Sequence, residues 1–226
     1  MSSKEIISEK REVKNFNKVV FKEHHEGELY ITFGKHEGLT IEAPVDIMKR
    51  IQTSVDNDTL TIKTVGTILE KIGDAFKTSL TRKIIKYHLT VKQLDSLDIS
   101  GLIKAEIEPI RAKQFFIKFN GAGTIKFKSI DVNLLEVKLT NVGNIELNGR
   151  AYEQIITITG SGKYDAPNLE SQVAKVMVKG VGIATLWAIQ KLDVTLRGVG
   201  KVSYFGNPRV KSDITPVGSF IHLGTK

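Results

Sequence analysis

The stretch TLRGVGKVSYFGNP, Thr195–Pro208, decides how the chain is read. It sets Gly198-Val199-Gly200 between two runs of alternating apolar residues. A Gly-x-Gly can cradle a phosphate, but a dinucleotide fingerprint needs a third glycine and a following helix. Strand spacing follows here instead. The same pattern recurs upstream as VKGVGIATL from Val178, ITGSGKYDA from Ile158, LTNVGNIEL from Leu139 and FNGAGTIKF from Phe119. A weaker copy, ISGLIKAEI, starts at Ile99. The first small residue of each copy is Gly101, Gly121, Asn141, Gly160, Gly180 and Gly198, at spacings of 20, 20, 19, 20 and 18 residues. A fixed period of this size marks a solenoid.

Columns taken from these anchors carry the reading further. Two residues before them stand Ile99, Phe119, Leu139, Ile158, Val178 and Leu196. Four before stand Leu97, Ile117, Val137, Ile156, Val176 and Val194. Four after stand Ala105, Ile125, Ile145, Tyr164, Ala184 and Val202. A looser pair of columns ends in Trp187 and Ile189. Apolar residues two apart define a strand with one buried face. The repeat is too short for a helical crossover, so each copy reads as one coil of a parallel β-helix, buried only against its neighbours. The expected fold is all-β, a single-domain right-handed parallel β-helix or solenoid with coils of about 20 residues and one inserted amphipathic helix. The glycines are then corners, where positive φ costs nothing without a Cβ. Gly121, Gly123, Gly143, Gly160, Gly162, Gly180, Gly182, Gly198 and Gly200 are structural turn residues on this reading, and Asn141 is the one substitute.

The remainder fits around this core. Residues 1–10 read as a disordered extension and residues 11–224 as the solenoid domain, with strand-like segments up to residue 63 taken as irregular early coils. In TILEKIGDAFKTSL, Ile68, Ile72, Phe76 and Leu80 recur every four residues, which predicts an amphipathic helix over about 67–80. It lies in a basic segment, residues 63–92, with seven Lys/Arg against two acids in a chain of net charge +8. Only through that segment is contact with an anionic membrane expected. Ile214, Phe220 and Leu223 are placed to close the C-terminal end.

The N-terminal part carries Arg-x-Val-x-x-Phe-x-x-Val at Arg11, Val13, Phe16 and Val19, followed by LYITFG, LTIEAP and VDNDTLTI. With the strand-Gly-x-Gly-strand units that end in LDVTLRGVGKVSYFGNP, this order resembles the head GIN domain family, described as putative auto-transporter adhesins. The resemblance runs from about Arg11 to Leu223. It implies a right-handed β-helix, a bacterial protein exported or held at the cell surface, and no established enzymatic activity. The first residues lack an apolar signal region, so the sequence as written leaves two expectations open, a cytoplasmic protein or one whose leader was removed.

Candidate chemistry is sparse. Without cysteine there is no thiolate nucleophile and no disulfide. Glu146 and Asp165 should be neighbours on adjacent coils, with Lys126 one coil away, a candidate catalytic pair with a basic helper if a glycosidic bond lay between them. Lys104, Lys163 and Lys201 form a broken lysine column, a candidate site for an acidic glycan. His24 and His25 are adjacent on a strand and point to opposite faces, which makes a poor metal pair. No motif asks for a cofactor or a metal. Nucleic acid is not expected, because no stacking aromatics interleave with the basic residues of the repeats. The leading expectation is a non-enzymatic adhesin or ligand-binding head whose partner is a glycan or a surface protein. The alternative is a carbohydrate-active β-helix enzyme, and a third reading is a basic scaffold for anionic membrane or glycan. Open solenoid ends make a dimer an option.

Overall fold

The computed structural model describes residues 5–65 and 84–226. The helix expected at 67–80 lies outside the described residues. Contacts gather the chain into two compact units, Met1–Ala105 and Glu106–Lys226, where the sequence suggests one domain. Almost every described element is a strand.

The first unit departs most from the expected coils. It contains β1 (Ile6–Arg11), β2 (Lys18–Lys22), β3 (Gly27–Phe33), β4 (Gly38–Pro44), the single turn of helix α1 (Val45–Met48), β5 (Ile51–Asp56), β6 (Thr59–Thr64), β7 (Ile85–Val91) and the start of β8 (Ser96–Ile107). β4 pairs antiparallel with both β1 and β7, so these strands are not early coils. β1 takes up residues 6–10 of the extension expected to be disordered, whose first four residues lie outside the described ones. Its alternation is carried by Ile7, Glu9 and Arg11, and the Arg11 guanidinium donates to the Ile51 carbonyl at 2.7 Å. Charged residues on the inner side of an outer strand leave little apolar signal. β5 and β6 form a hairpin through Asn57 and Asp58, both at positive φ, the conformation a two-residue turn of type I′ requires. β3 runs parallel to β7, and β2, β6 and β8 stack in parallel as coils do. There Val19 lies between Leu60 and Leu97, and Phe21 between Ile62 and Ile99. Val13, Phe16 and Val19 of the N-terminal motif are buried, so that motif is a core signature.

The second unit follows the repeat. β9 (Ile110–Phe127), β10 (Ile130–Asn141), β11 (Asn144–Gly160), β12 (Lys163–Gly180) and β13 (Ile183–Gly198) pair in parallel, each with the next. β14 (Lys201–Phe205), β15 (Arg209–Ile214) and β16 (Ser219–His222) add the last strands, with β14 and β15 on β13 and β16 on β14. Phe119, Leu139, Ile158, Val178 and Leu196 stand in one register row and are all buried. At the C-terminal end Ile214 pairs with Leu196, and the Phe220 ring stacks on Tyr204 at 5.0 Å between centroids, while Leu223 remains exposed.

The corners are tight because backbones stack there. Gly198 has φ +125°, and a Cβ on it would meet the Gly180 carbonyl oxygen at 2.3 Å. At the later corners the second glycine, Gly143, Gly162, Gly182 or Gly200, makes room for a side chain. A Cβ at Gly162 would lie 2.6 Å from the Leu139 side chain in the coil below. Gly121 is not among the residues at positive φ; in that coil Gly123 takes it, at +112°. The looser apolar column also ends differently. Glu170 pairs with Trp187 and Ser171 with Ala188, so Ala188 is the buried residue and Ile189 is exposed. The spacing of 18 at this coil is two residues short, and two register shifts, between Asp165 and Glu170 and between Ser171 and Val173, together absorb it.

One polar network crosses the core of this unit. The buried Tyr164 hydroxyl donates to Gln154 Oε1 at 2.8 Å, and Gln154 Nε2 donates to Ser171 Oγ at 2.7 Å. Ser171 Oγ donates to the Trp187 carbonyl at 2.6 Å. Each buried group thus has a partner, which such a site needs to be stable.

Candidate functional site

The outward columns of the second unit bring together the residues of the proposed carboxylate pair. Glu146 is opposite Lys126 on one side and Asp165 on the other. Lys126 Nζ is 3.6 Å from Glu146, and Lys163 Nζ is 2.7 Å from Asp165. Each acid therefore has its own lysine, and all four side chains are partly exposed. This is the pattern of a solvated β-face, where opposite charges on neighbouring strands, or two residues apart on one strand, offset each other. It recurs along the unit at Lys175–Glu153, 2.9 Å, and Lys191–Asp193, 2.9 Å.

The lysine column is less continuous than a binding strip would be. Ile183 pairs with Lys163 on one side and Lys201 on the other, so the two lysines are two coils apart, and Lys163 is engaged by Asp165. Lys104 belongs to the first unit. Among the described residues no group of three His, Asp or Glu side chains is placed to hold a metal ion.

The most organised polar cluster lies in the first unit. Val19, Phe21 and Glu23 alternate inward, which carries a carboxylate into the interior beyond the end of β2. Ile62 and Thr64 do the same on β6, and Tyr87 faces inward from β7. Glu23 accepts hydrogen bonds from the Thr64 hydroxyl at 2.8 Å, the His24 backbone N–H at 2.8 Å and the His25 backbone N–H at 3.1 Å. It also accepts one from the Tyr87 hydroxyl and has His25 Nδ1 at 3.2 Å. Burial pushes the carboxyl up, but these donors together outweigh it and hold the group below its ordinary value. Burial and the Glu23 charge push the Tyr87 phenol well above its ordinary range. Glu23 is thus an ionised group with its lone pairs already committed, which suits a structural anchor better than a proton donor. A cleft of about 420 Å3 opens beside it, lined by Lys22, His24, Lys63, Val65, Ser100 and Gly101 together with Glu23 and Thr64. The sequence reading stops at the two histidines. The missed signal is the inward register of Glu23, Thr64 and Tyr87, three polar groups on apolar faces.

With this geometry in place, the comparison with known proteins is specific. A family model described as "Putative auto-transporter adhesin, head GIN domain" matches residues 15–208. The chain belongs to this family. A putative adhesin of known structure from Bacteroides fragilis NCTC 9343 superposes with a TM-score of 0.80 at 22% identity, covering 97% of this chain and 98% of that one. A putative lipid binding protein from Parabacteroides distasonis ATCC 8503 gives 0.72 at 18% identity, with 96% of each chain covered. A putative adhesin from Parabacteroides merdae ATCC 43184 gives 0.64 at 17% identity, covering 98% and 97%. At these identities the likeness is one of fold. No curated protein matches the sequence.

Proposed function

We propose that the chain is a non-enzymatic, adhesin-like head domain that recognises a surface partner through the outward columns of residues 106–226. The family match over 15–208 is the observation that carries this reading. The pairing of Glu146 and Asp165 with separate lysines supports it, because glycosidic cleavage needs one carboxyl free to give a proton and a second free to act on the sugar. The contact area is the face where Lys138, Thr157, Met177 and Thr195 stand in one row, a mixed surface suited to hydrogen bonding and apolar contact. A surface glycan is the partner class proposed for it.

The test is a glycan array read at low salt and at about 0.5 M salt, where exposed charge effects are largely screened. Retention of one glycan class at high salt is expected, together with its loss in a Thr157→Arg/Met177→Arg variant. Incubation with polysaccharides should release no oligosaccharide. Turnover that disappears in Glu146→Gln would overturn the reading in favour of an enzyme. A silent array would remove the glycan and leave a protein partner.

A further inference from the structure

The middle residues of the Gly-x-Gly corners form a column of their own. In the second unit they are Ala122, Val142, Ser161, Val181 and Val199, followed at the last corner by Val217. Backbone bonds at the corners hold the column in step: Ser161 N–H donates to the Asn141 carbonyl at 2.9 Å, Val181 N–H to Gly160 at 3.0 Å, Lys201 N–H to Gly182 at 3.0 Å and Ser219 N–H to Gly200 at 3.0 Å. The valines are among the most exposed apolar residues of the chain. Val142 is 62% exposed, Val181 52%, Val199 65% and Val217 63%. At the strand-to-strand spacing the row from Val142 to Val217 extends roughly 19 Å. Scattered exposed valines need no explanation, but four of them in one register row, broken only by Ser161, do.

Charge on either side of the ridge is of one sign. Two residues before each middle residue stand Asn120, Thr140, Thr159, Lys179, Arg197 and Thr215. Two residues after stand Thr124, Asn144, Lys163, Ile183, Lys201 and Ser219. These flanks hold four cations and no acid. Lys163 is bridged by Asp165 and Arg197 by Asp213, while Lys179 and Lys201 make no salt bridge among the described residues.

We propose that this valine ridge docks on an anionic bilayer surface. An apolar edge bordered by cations matches the two layers it would meet: the side chains enter the acyl boundary while the ammonium groups remain at the level of the phosphates. The same charges argue against a second copy of the chain as the occupant, since ridge against ridge would bring Lys179 and Lys201 toward their own kind. A glycan is a poorer fit, because valine side chains offer no hydrogen bond. The ridge borders the face proposed above for a surface partner, since Lys179 and Arg197 follow Met177 and Thr195 by two residues on the same outward side, but its argument rests on other residues and neither proposal depends on the other.

Co-sedimentation of the full chain with vesicles tests it, using phosphatidylcholine alone and phosphatidylcholine with phosphatidylglycerol. The chain should partition onto the phosphatidylglycerol vesicles only. Val181→Ser/Val199→Ser and Lys179→Glu/Lys201→Glu should each weaken partition at least about tenfold, with thermal melting unchanged because all four positions are on the surface. Val199→Trp should give a blue-shifted emission that appears with those vesicles and is quenched by brominated acyl chains. Three results would overturn the proposal: no vesicle binding, undiminished binding by the serine variant, or self-association of the wild type in sedimentation velocity that the serine variant abolishes.

Discussion

Glu23 is a carboxylate in an apolar interior, and its energetics follow from the groups around it. Replacing it with Gln turns one acceptor oxygen into a donor that faces the Tyr87 and Thr64 hydroxyls. Glu23→Gln should cost about 2–3 kcal/mol of stability, measured by urea unfolding at neutral pH. The sign of the pH dependence is also set. Because the folded carboxyl lies below its ordinary value, its contribution is complete above the unfolded value and is lost as pH falls through the folded one. The wild type should therefore lose stability on acidification more steeply than Glu23→Gln. An identical slope for the two would mean that other carboxylates dominate. Glu37 is held in the same direction: burial raises it, and the Asn15 and Phe16 N–H groups with Lys92 more than offset this. It fastens the turn at Asn15, which has φ 61°.

At the level of the element, the corner is where sequence and stacking meet. Gly198→Ala places a side chain at φ +125° and against the Gly180 carbonyl, so about 2–4 kcal/mol should be lost. Val199→Ala, one residue away, should remain within about 0.5 kcal/mol of wild type. Equal effects at the two positions would show that the corner backbone relaxes. The contrast also explains what could be read beforehand. Columns such as Ile117, Val137, Ile156, Val176 and Val194 were legible because every coil repeats the same burial. Trp187 was misplaced because a shortened coil changes register without changing the apolar pattern. β4 and β5 looked like coils because alternation reports a buried face and is silent about the direction of the partner strand. Ile6–Arg11 escaped because its inner face is largely charged. Of the candidate site residues, Glu146 and Asp165 were correctly made neighbours by the period, but only side-chain geometry assigns each its lysine.

At the scale of the molecule, residues 106–226 behave as a stack whose members touch mainly the coil before and the coil after. With a second copy of residues 121–140 spliced in after Thr140, each copy would keep one of the original neighbours and meet the other copy, with matching apolar columns, on its second side. The lengthened chain should fold with an unchanged mean-residue circular dichroism spectrum and a urea m-value that rises with its size. Aggregation or a non-cooperative transition would mean that the coils are less interchangeable than their columns suggest. Equivalent outward positions then recur at a constant pitch along every row, so successive rungs can each make a contact with one extended partner. Attachment to a partner that is itself repetitive would be multivalent, with a strength graded by the number of rungs engaged. Losing one side chain would be a small defect in such a grip, and losing one rung a large one.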